Sequence, residues 1–228
     1  MGNAIEEIFG LLEDWRKLPN YQLERRADIF FAYFLPDILR NELQINIRHN
    51  DIIPEFPLQK RALYGDEGNN QSNKVDYAIF DRANRKVYFV ELKTEMNSRN
   101  DDQDKYLKAA QSHEINALLG GIIEISESKS VRRDKKTLDK YNHLLNKLKC
   151  VGAIAEKDNA LELTDLYNCE KPKIIYIQPV KDIKDKDNET IITFARIAQI
   201  LEEKESNPLS LIFAGLLKNI AKEAEKNK

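Results

Sequence analysis

The sequence predicts an α/β protein, with a mixed central sheet that contains an antiparallel three-strand meander and carries helices on both faces. Three observations lead there. Two β-rich runs, VDYAIF (75–80) and VYFVELKTE (87–95), are joined by the short polar link DRANRK, which is the pattern of a β-hairpin. A further apolar run, KIIYIQPV (173–180), ends at a proline and reads as a buried strand. Segments with helical apolar spacing precede, separate and follow these runs, so helices must cover the sheet.

Taken in order, residues 3–16 repeat Ile5, Ile8, Leu11, Leu12 and Trp15 at helical spacing and predict an amphipathic helix broken at Pro19-Asn20. Residues 21–45 predict a longer helix with an apolar stripe through Ala27, Phe30, Phe31, Phe34, Ile38 and Leu39, which Pro36 kinks or splits. Ile52, Ile53, Phe56 and Leu58 lie between Pro54 and Pro57. Two prolines so close argue against a helix and for an edge strand. Residues 65–73 form a polar loop before the hairpin. Its second strand is apolar on both sides up to Glu91, as expected in the middle of a sheet.

After the polar connector 96–102, a helix is expected from about Asp101 to Leu119, ending near Gly120-Gly121. Another spans 135–149, with Leu138, Tyr141, Leu144, Leu145 and Leu148 at helical spacing. Residues 181–190 read as a solvated loop, and 191–204 and 208–225 as closing helices. At about 150 residues per domain, 228 residues make one domain: N-terminal helices over 1–48, a sheet-bearing core over 49–180 and C-terminal helices over 181–228.

Composition excludes several classes. The 36 Lys and Arg nearly cancel the 38 Asp and Glu, leaving a net charge of −2. The chain is no polycation, and any nucleic-acid site must come from local charge placement. Two cysteines, Cys150 and Cys169, without a CxxC, exclude a disulfide scaffold and a Cys-rich zinc module, and fit a reducing compartment. The N-terminus is acidic where a signal peptide is basic, and Glu6 stands where myristoylation needs Ser or Thr. No apolar run approaches the roughly 18–20 residues of a membrane span. The expectation is a cytoplasmic protein without a membrane partner. His49, His113 and His143 lack metal-ligand spacing, and no GxSxG, Walker loop or dinucleotide fingerprint occurs.

The chemistry concentrates on the hairpin. Asp76 starts one strand, and Glu91 and Lys93 lie two apart on its partner, where i and i+2 share a face. A short turn folds the strands antiparallel and brings Asp76 beside Glu91. Adjacent carboxylates repel and resist desolvation. A hard divalent cation resolves this: Mg²⁺ is typically held by one or two carboxylates plus waters and substrate phosphate. It activates water and neutralises phosphodiester charge. Lys93 could orient that water, and Glu55 is a candidate third carboxylate. The bland alternative is that ExK is a surface charge pair; an otherwise apolar strand pair is an unexpected place for one.

The segments IIPEFPLQK, KVDYAIFD and KVYFVELKTE resemble the PD-(D/E)XK nuclease superfamily, the restriction-endonuclease-like fold, with Asp76, Glu91 and Lys93 at the motif positions. Val75 stands where the motif has Pro. The resemblance spans about residues 51–119 in motifs and reaches Pro179 in element order. It implies a Mg²⁺-dependent deoxyribonuclease, an endonuclease in which Mn²⁺ can substitute. Asp76, Glu91 and the main-chain carbonyl of Leu92 would hold the metal, Lys93 would position the water, and Glu55 would assist. Some branches place the additional acid on the first core helix, where Glu24 and Glu42 are available. Gln103 and Tyr106 resemble a DNA-holding Gln-x-x-x-Tyr shortened by one residue, and Tyr106 also suits simple packing on the sheet.

Residues 129–149 carry +6, so the remainder of the chain totals −8. Arg132, Arg133, Lys135 and Lys136 form a cluster suited to phosphates, or else a solvated helix face. Tyr141 and His143 could face a groove or the core. Two other readings stand beside the nuclease: a catalytically inactive nucleic-acid-binding or protein-interaction module on the same fold, and a homodimer built on the stripe Ile212, Leu216, Ile220 and Ala224.

Overall fold

The structure is a computed structural model that describes residues 4–18, 22–65, 71–95, 101–168, 170–181, 189–203 and 207–226. It is α/β. Five strands run in the order β1 (Ile52–Gln59), β2 (Ser72–Asp81), β3 (Lys86–Leu92), β6 (Lys173–Gln178), β7 (Thr190–Thr193). Consecutive strands β1, β2 and β3 pair antiparallel as the expected meander, whereas β6 and β7 pair parallel, so the sheet is mixed. β1, with its two prolines, is an edge strand, where a residue without an N–H costs no ladder bond. The chain divides into two compact units, one of residues 1–46, 92–99 and 175–228, the other of residues 47–91 and 100–174.

The first unit holds α1 (Ala4–Trp15), α2 (Leu23–Leu43), α8 (Phe194–Glu202) and α9 (Pro208–Lys226). Its core is aromatic. Phe213 stacks on Phe34 at 5.7 Å and meets Phe31 edge-on at 5.1 Å, and Phe31 meets Phe194 at 5.3 Å, in the offset and edge geometries that aromatic rings prefer. Pro36 does not split α2, which runs as one helix with the proline buried. Residues 191–193, expected to open a helix, belong to β7 instead. The β-branched run Thr-Ile-Ile-Thr pairs with β6, and only then does Thr193 cap α8, its hydroxyl accepting from the Arg196 amide. Of the expected dimer stripe, Leu216, Ile220 and Ala224 are buried in the core of this unit, where α9 packs on α1 and α8, and Ile212 is half-buried.

The second unit holds the meander, α3 (Lys60–Tyr64), α4 (Asp101–Ser112), α5 (Ile115–Glu127), α6 (Lys129–Arg133), α7 (Lys135–Cys150) and a hairpin of β4 (Ile154–Lys157) and β5 (Ala160–Leu163). Phe56, Phe80 and Phe89 cluster with ring centroids 5.8–5.9 Å apart, against Ile115, Leu118 and Leu119 of α5. The single helix expected over 101–119 is two helices, broken at His113-Glu114. Gly120-Gly121 does not end the second, which continues to Glu127. A Cβ on Gly121 would lie 2.8 Å from Gln59 Oε1 and 2.9 Å from the Ala62 Cβ. That glycine serves the close approach of α5 to the end of β1. The loop expected over 65–73 and the connector over 96–102 fall largely outside the described residues, as do Pro19-Asn20 and most of 181–190.

Candidate functional site

The β2–β3 turn sets the geometry. The Asp81 carboxylate accepts from the Asn84 amide at 3.2 Å and from Asn84 Nδ2 at 2.7 Å, and Arg85 takes φ +55° to close the loop. The turn fixes the register, which pairs Asp81 with Lys86 and ends at Tyr77 and Val90. Asp76 and Glu91 are the next residues on the two strands, which the same register, continued one step, would set opposite each other. Facing residues of an antiparallel pair have Cβ atoms about 4.5–5.5 Å apart and side chains on one face. Asp76 is half-buried and Glu91 is buried. Glu91 has interactions of its own, while its Oε2 atom accepts no hydrogen bond.

Asp76 and Glu91 belong to the second unit. Leu92 and Lys93 open the middle segment of the first. Leu92, the last residue of β3, is buried. Lys93 is only 4% exposed, and its amide donates to the Ile177 carbonyl of β6 at 2.7 Å. A lysine so enclosed is held in place by its surroundings rather than left as a mobile surface charge.

The additional acidic candidates sit on β1 and α2. Glu55 sits between the pairs Pro54–Tyr77 and Phe56–Val75 with φ +50°, and its exposed carboxylate bonds Lys74 Nζ at 2.8 Å. Glu42 bonds Arg196 Nε at 2.6 Å, and Glu24 lies in the first turn of α2. Among the described residues, no group of three or more His, Cys, Asp or Glu is placed to hold a metal ion.

Gln103 is half-buried in the first turn of α4, beside Asp101, Asp102 and Asp104. Tyr106 packs on the sheet, its hydroxyl donating to the Lys74 carbonyl at 2.8 Å. Arg132 and Arg133 end α6, and Lys135 and Lys136 begin α7; all four are exposed. Asp134 separates the two helices and caps α7, accepting from the Lys136 and Thr137 amides. These bonds, the Thr137 hydroxyl foremost, hold its carboxyl below the usual range.

A cleft of about 870 Å³ runs between α7 and the β1–β2 edge. Of the four basic candidates, only Lys136 lines it. It is joined by Lys74, Lys140, His143, Lys147 and Tyr141. Burial pushes the Tyr141 hydroxyl up, and the nearby Lys74 cation opposes this. Positions 136, 140, 143 and 147 follow the 3.6-residue period along one side of α7. In the sequence, the apolar stripe of this helix masks that polar one.

No family model, curated protein or solved structure matches the chain. Among the described residues, no helix is long and apolar enough to cross a membrane.

Proposed function

We propose that this chain is a Mg²⁺-dependent nuclease that hydrolyses phosphodiester bonds of DNA within the strand. The observation that carries the reading is the β2–β3 register, whose pairs run to Tyr77–Val90; Asp76 and Glu91 are the next residues on the two strands, with Lys93 two residues further along the chain. The resemblance of this stretch to the PD-(D/E)XK superfamily supports it, and the paucity of cysteines suits a reducing, cytoplasmic setting.

The donor set fits a hard cation. Two carboxylates and a neighbouring main-chain carbonyl, that of Leu92, are oxygen ligands, and Mg²⁺ needs only one or two carboxylates because waters and substrate phosphate complete its shell. Bound there, the ion would lower the pKa of a water and neutralise charge on the scissile phosphate. Asp76 and Glu91 would hold the ion. The Lys93 ammonium would orient the attacking water or meet the negative charge that develops on the phosphate oxygens.

A second reading, a catalytically inactive nucleic-acid-binding module, is favoured by one observation: the Glu55 carboxylate bonds Lys74, and among the described residues no three acidic groups gather to hold a metal ion. The test is cleavage of supercoiled and linear, single- and double-stranded DNA with Mg²⁺ or Mn²⁺ by wild type, Asp76→Ala and Lys93→Ala. Cleavage that both substitutions abolish supports the nuclease. No cleavage by wild type, together with no Mn²⁺ binding by calorimetry, leaves the inactive module.

A further inference from the structure

The cleft beside α7 combines two chemistries. Its rim is cationic: Lys136, Lys140 and Lys147 line it from α7 and Lys74 from β2. Among the described residues only Lys74 of these four is in an ion pair, with Glu55, and Asp139 is the one acidic residue that α7 adds. Between these charges lie Ile53, Pro54 and Pro57 of β1 and Tyr141 and Leu144 of α7, beside the polar Glu55, Ser72 and His143. The volume falls within the range of about 300–1,000 Å³ typical of ligand sites.

A cationic rim over an aromatic and proline floor suits a polyanion that also carries exposed flat rings. A single DNA strand is such a ligand, because its bases stack on side-chain faces while its phosphates follow the lysines. A duplex hides its base faces within the stack and would leave the floor uncovered. An acidic peptide supplies charge without rings.

β2 links the cleft to the carboxylates. Residues 74–77 alternate exposed, buried, half-buried, buried, so Lys74 and Asp76 emerge on one side of the strand. Two residues of strand span about 7 Å. We infer that the cleft binds a single strand of DNA and leads it to Asp76 and Glu91, making single-stranded DNA the preferred substrate. The inference rests on the nuclease reading for its choice of polyanion.

The test separates binding from cleavage. Anisotropy of a labelled oligothymidine is measured in EDTA for wild type, Lys140→Glu/Lys147→Glu and Tyr141→Leu. A Lys157→Glu/Lys171→Glu variant makes the same charge change at exposed lysines that do not line the cleft. The cleft pair should weaken binding roughly tenfold or more and flatten the salt dependence by about 0.7 per lost phosphate contact. Tyr141→Leu should weaken it roughly fivefold or more through lost stacking; if that variant does not fold, Lys140→Glu/Lys147→Glu carries the test. Binding by the cleft pair within about twofold of wild type, an equal loss in the control, or equal affinity for duplex or polyglutamate each overturns the inference. Cleavage that depends on Asp76 but is indifferent to the cleft variants overturns it while the nuclease stands. Cleft-dependent binding without metal-dependent cleavage of any DNA leaves the single-strand site standing and overturns the nuclease.

Discussion

The Tyr106 hydroxyl donates to the Lys74 main-chain carbonyl at 2.8 Å, which fastens α4 to β2 two residues before Asp76. Tyr106 is buried, so a water molecule replaces this donor poorly. Tyr106→Phe should lower the unfolding free energy by about 0.5–1.5 kcal/mol, the net worth of one such bond. Urea denaturation should show a lower midpoint with an unchanged slope. A wild-type midpoint would mean that the bond contributes nothing to the folded state.

The two adjacent glycines of α5 should respond in opposite directions. Nothing lies within 4 Å of a Cβ built on Gly120, so Gly120→Ala should stabilise by about 0.5–1 kcal/mol through helix propensity. Gly121→Ala meets Gln59 and the Ala62 Cβ at 2.8–3.0 Å and should destabilise by about 1–3 kcal/mol through overpacking. Thermal unfolding of the two variants side by side reads the difference. Equal shifts would show that α5 is not pressed against the end of β1.

That pair also shows where sequence pattern stops being informative. A Gly-Gly step after an apolar run resembles a helix end, and nothing local reveals that Gln59, far back in the chain, needs the space. β4 and β5 escaped for a different reason. They are four residues each and mostly exposed, so no apolar alternation marks them. Their signal was Asp158-Asn159, the turn at φ +51° and +62°, a residue type that tolerates the left-handed region. The meander, β6 and the longer helices were legible because burial imposes their period on the sequence. The antiparallel pairing of β2 with β3 was legible because a short turn determines register. The cleft was not, since α7 and β1 are remote in sequence and spacing carries no trace of their approach.

Tyr167 should make the protein sensitive to alkali. It is fully buried, its hydroxyl donates to the Val151 carbonyl at 3.0 Å, and its ring meets Phe80 at 5.5 Å. Burial raises its pKa well above the ordinary 10.0; Asp51 and Asp81 add to this and the Arg82 cation opposes it. The unfolded chain therefore releases this proton first. The stabilising contribution is fully present below about pH 10 and is lost as pH climbs from there toward the raised native value. Tyr167→Phe should lower stability at neutral pH through the lost hydrogen bond, yet flatten the fall above about pH 10. Urea unfolding at neutral and alkaline pH checks both, and a fall as steep as that of wild type would place the alkaline sensitivity on other groups.

Metal binding should be visible without any nucleic acid. Asp76 and Glu91 follow the last β2–β3 pair, Tyr77–Val90, and are brought near only when the strands pair, so an ion held by both would bind the folded chain in preference to the unfolded one. At about a hundred times its dissociation constant such a ligand stabilises by about 2.7 kcal/mol. In a chain of this size that corresponds to roughly 5–10 °C in Tm. Mn²⁺ should therefore raise the Tm of wild type, and Asp76→Asn and Glu91→Gln should each remove the rise, because an amide keeps the shape but loses the charge that a hard cation requires. Lys93→Ala should keep it, since an ammonium is no ligand, while still losing cleavage. A rise that survives in both carboxylate variants would put the ion elsewhere on the protein. A wild type indifferent to Mn²⁺ would mean that the two carboxylates are neutralised from within the fold, and the nucleic-acid-binding module would then be the better reading of the hairpin.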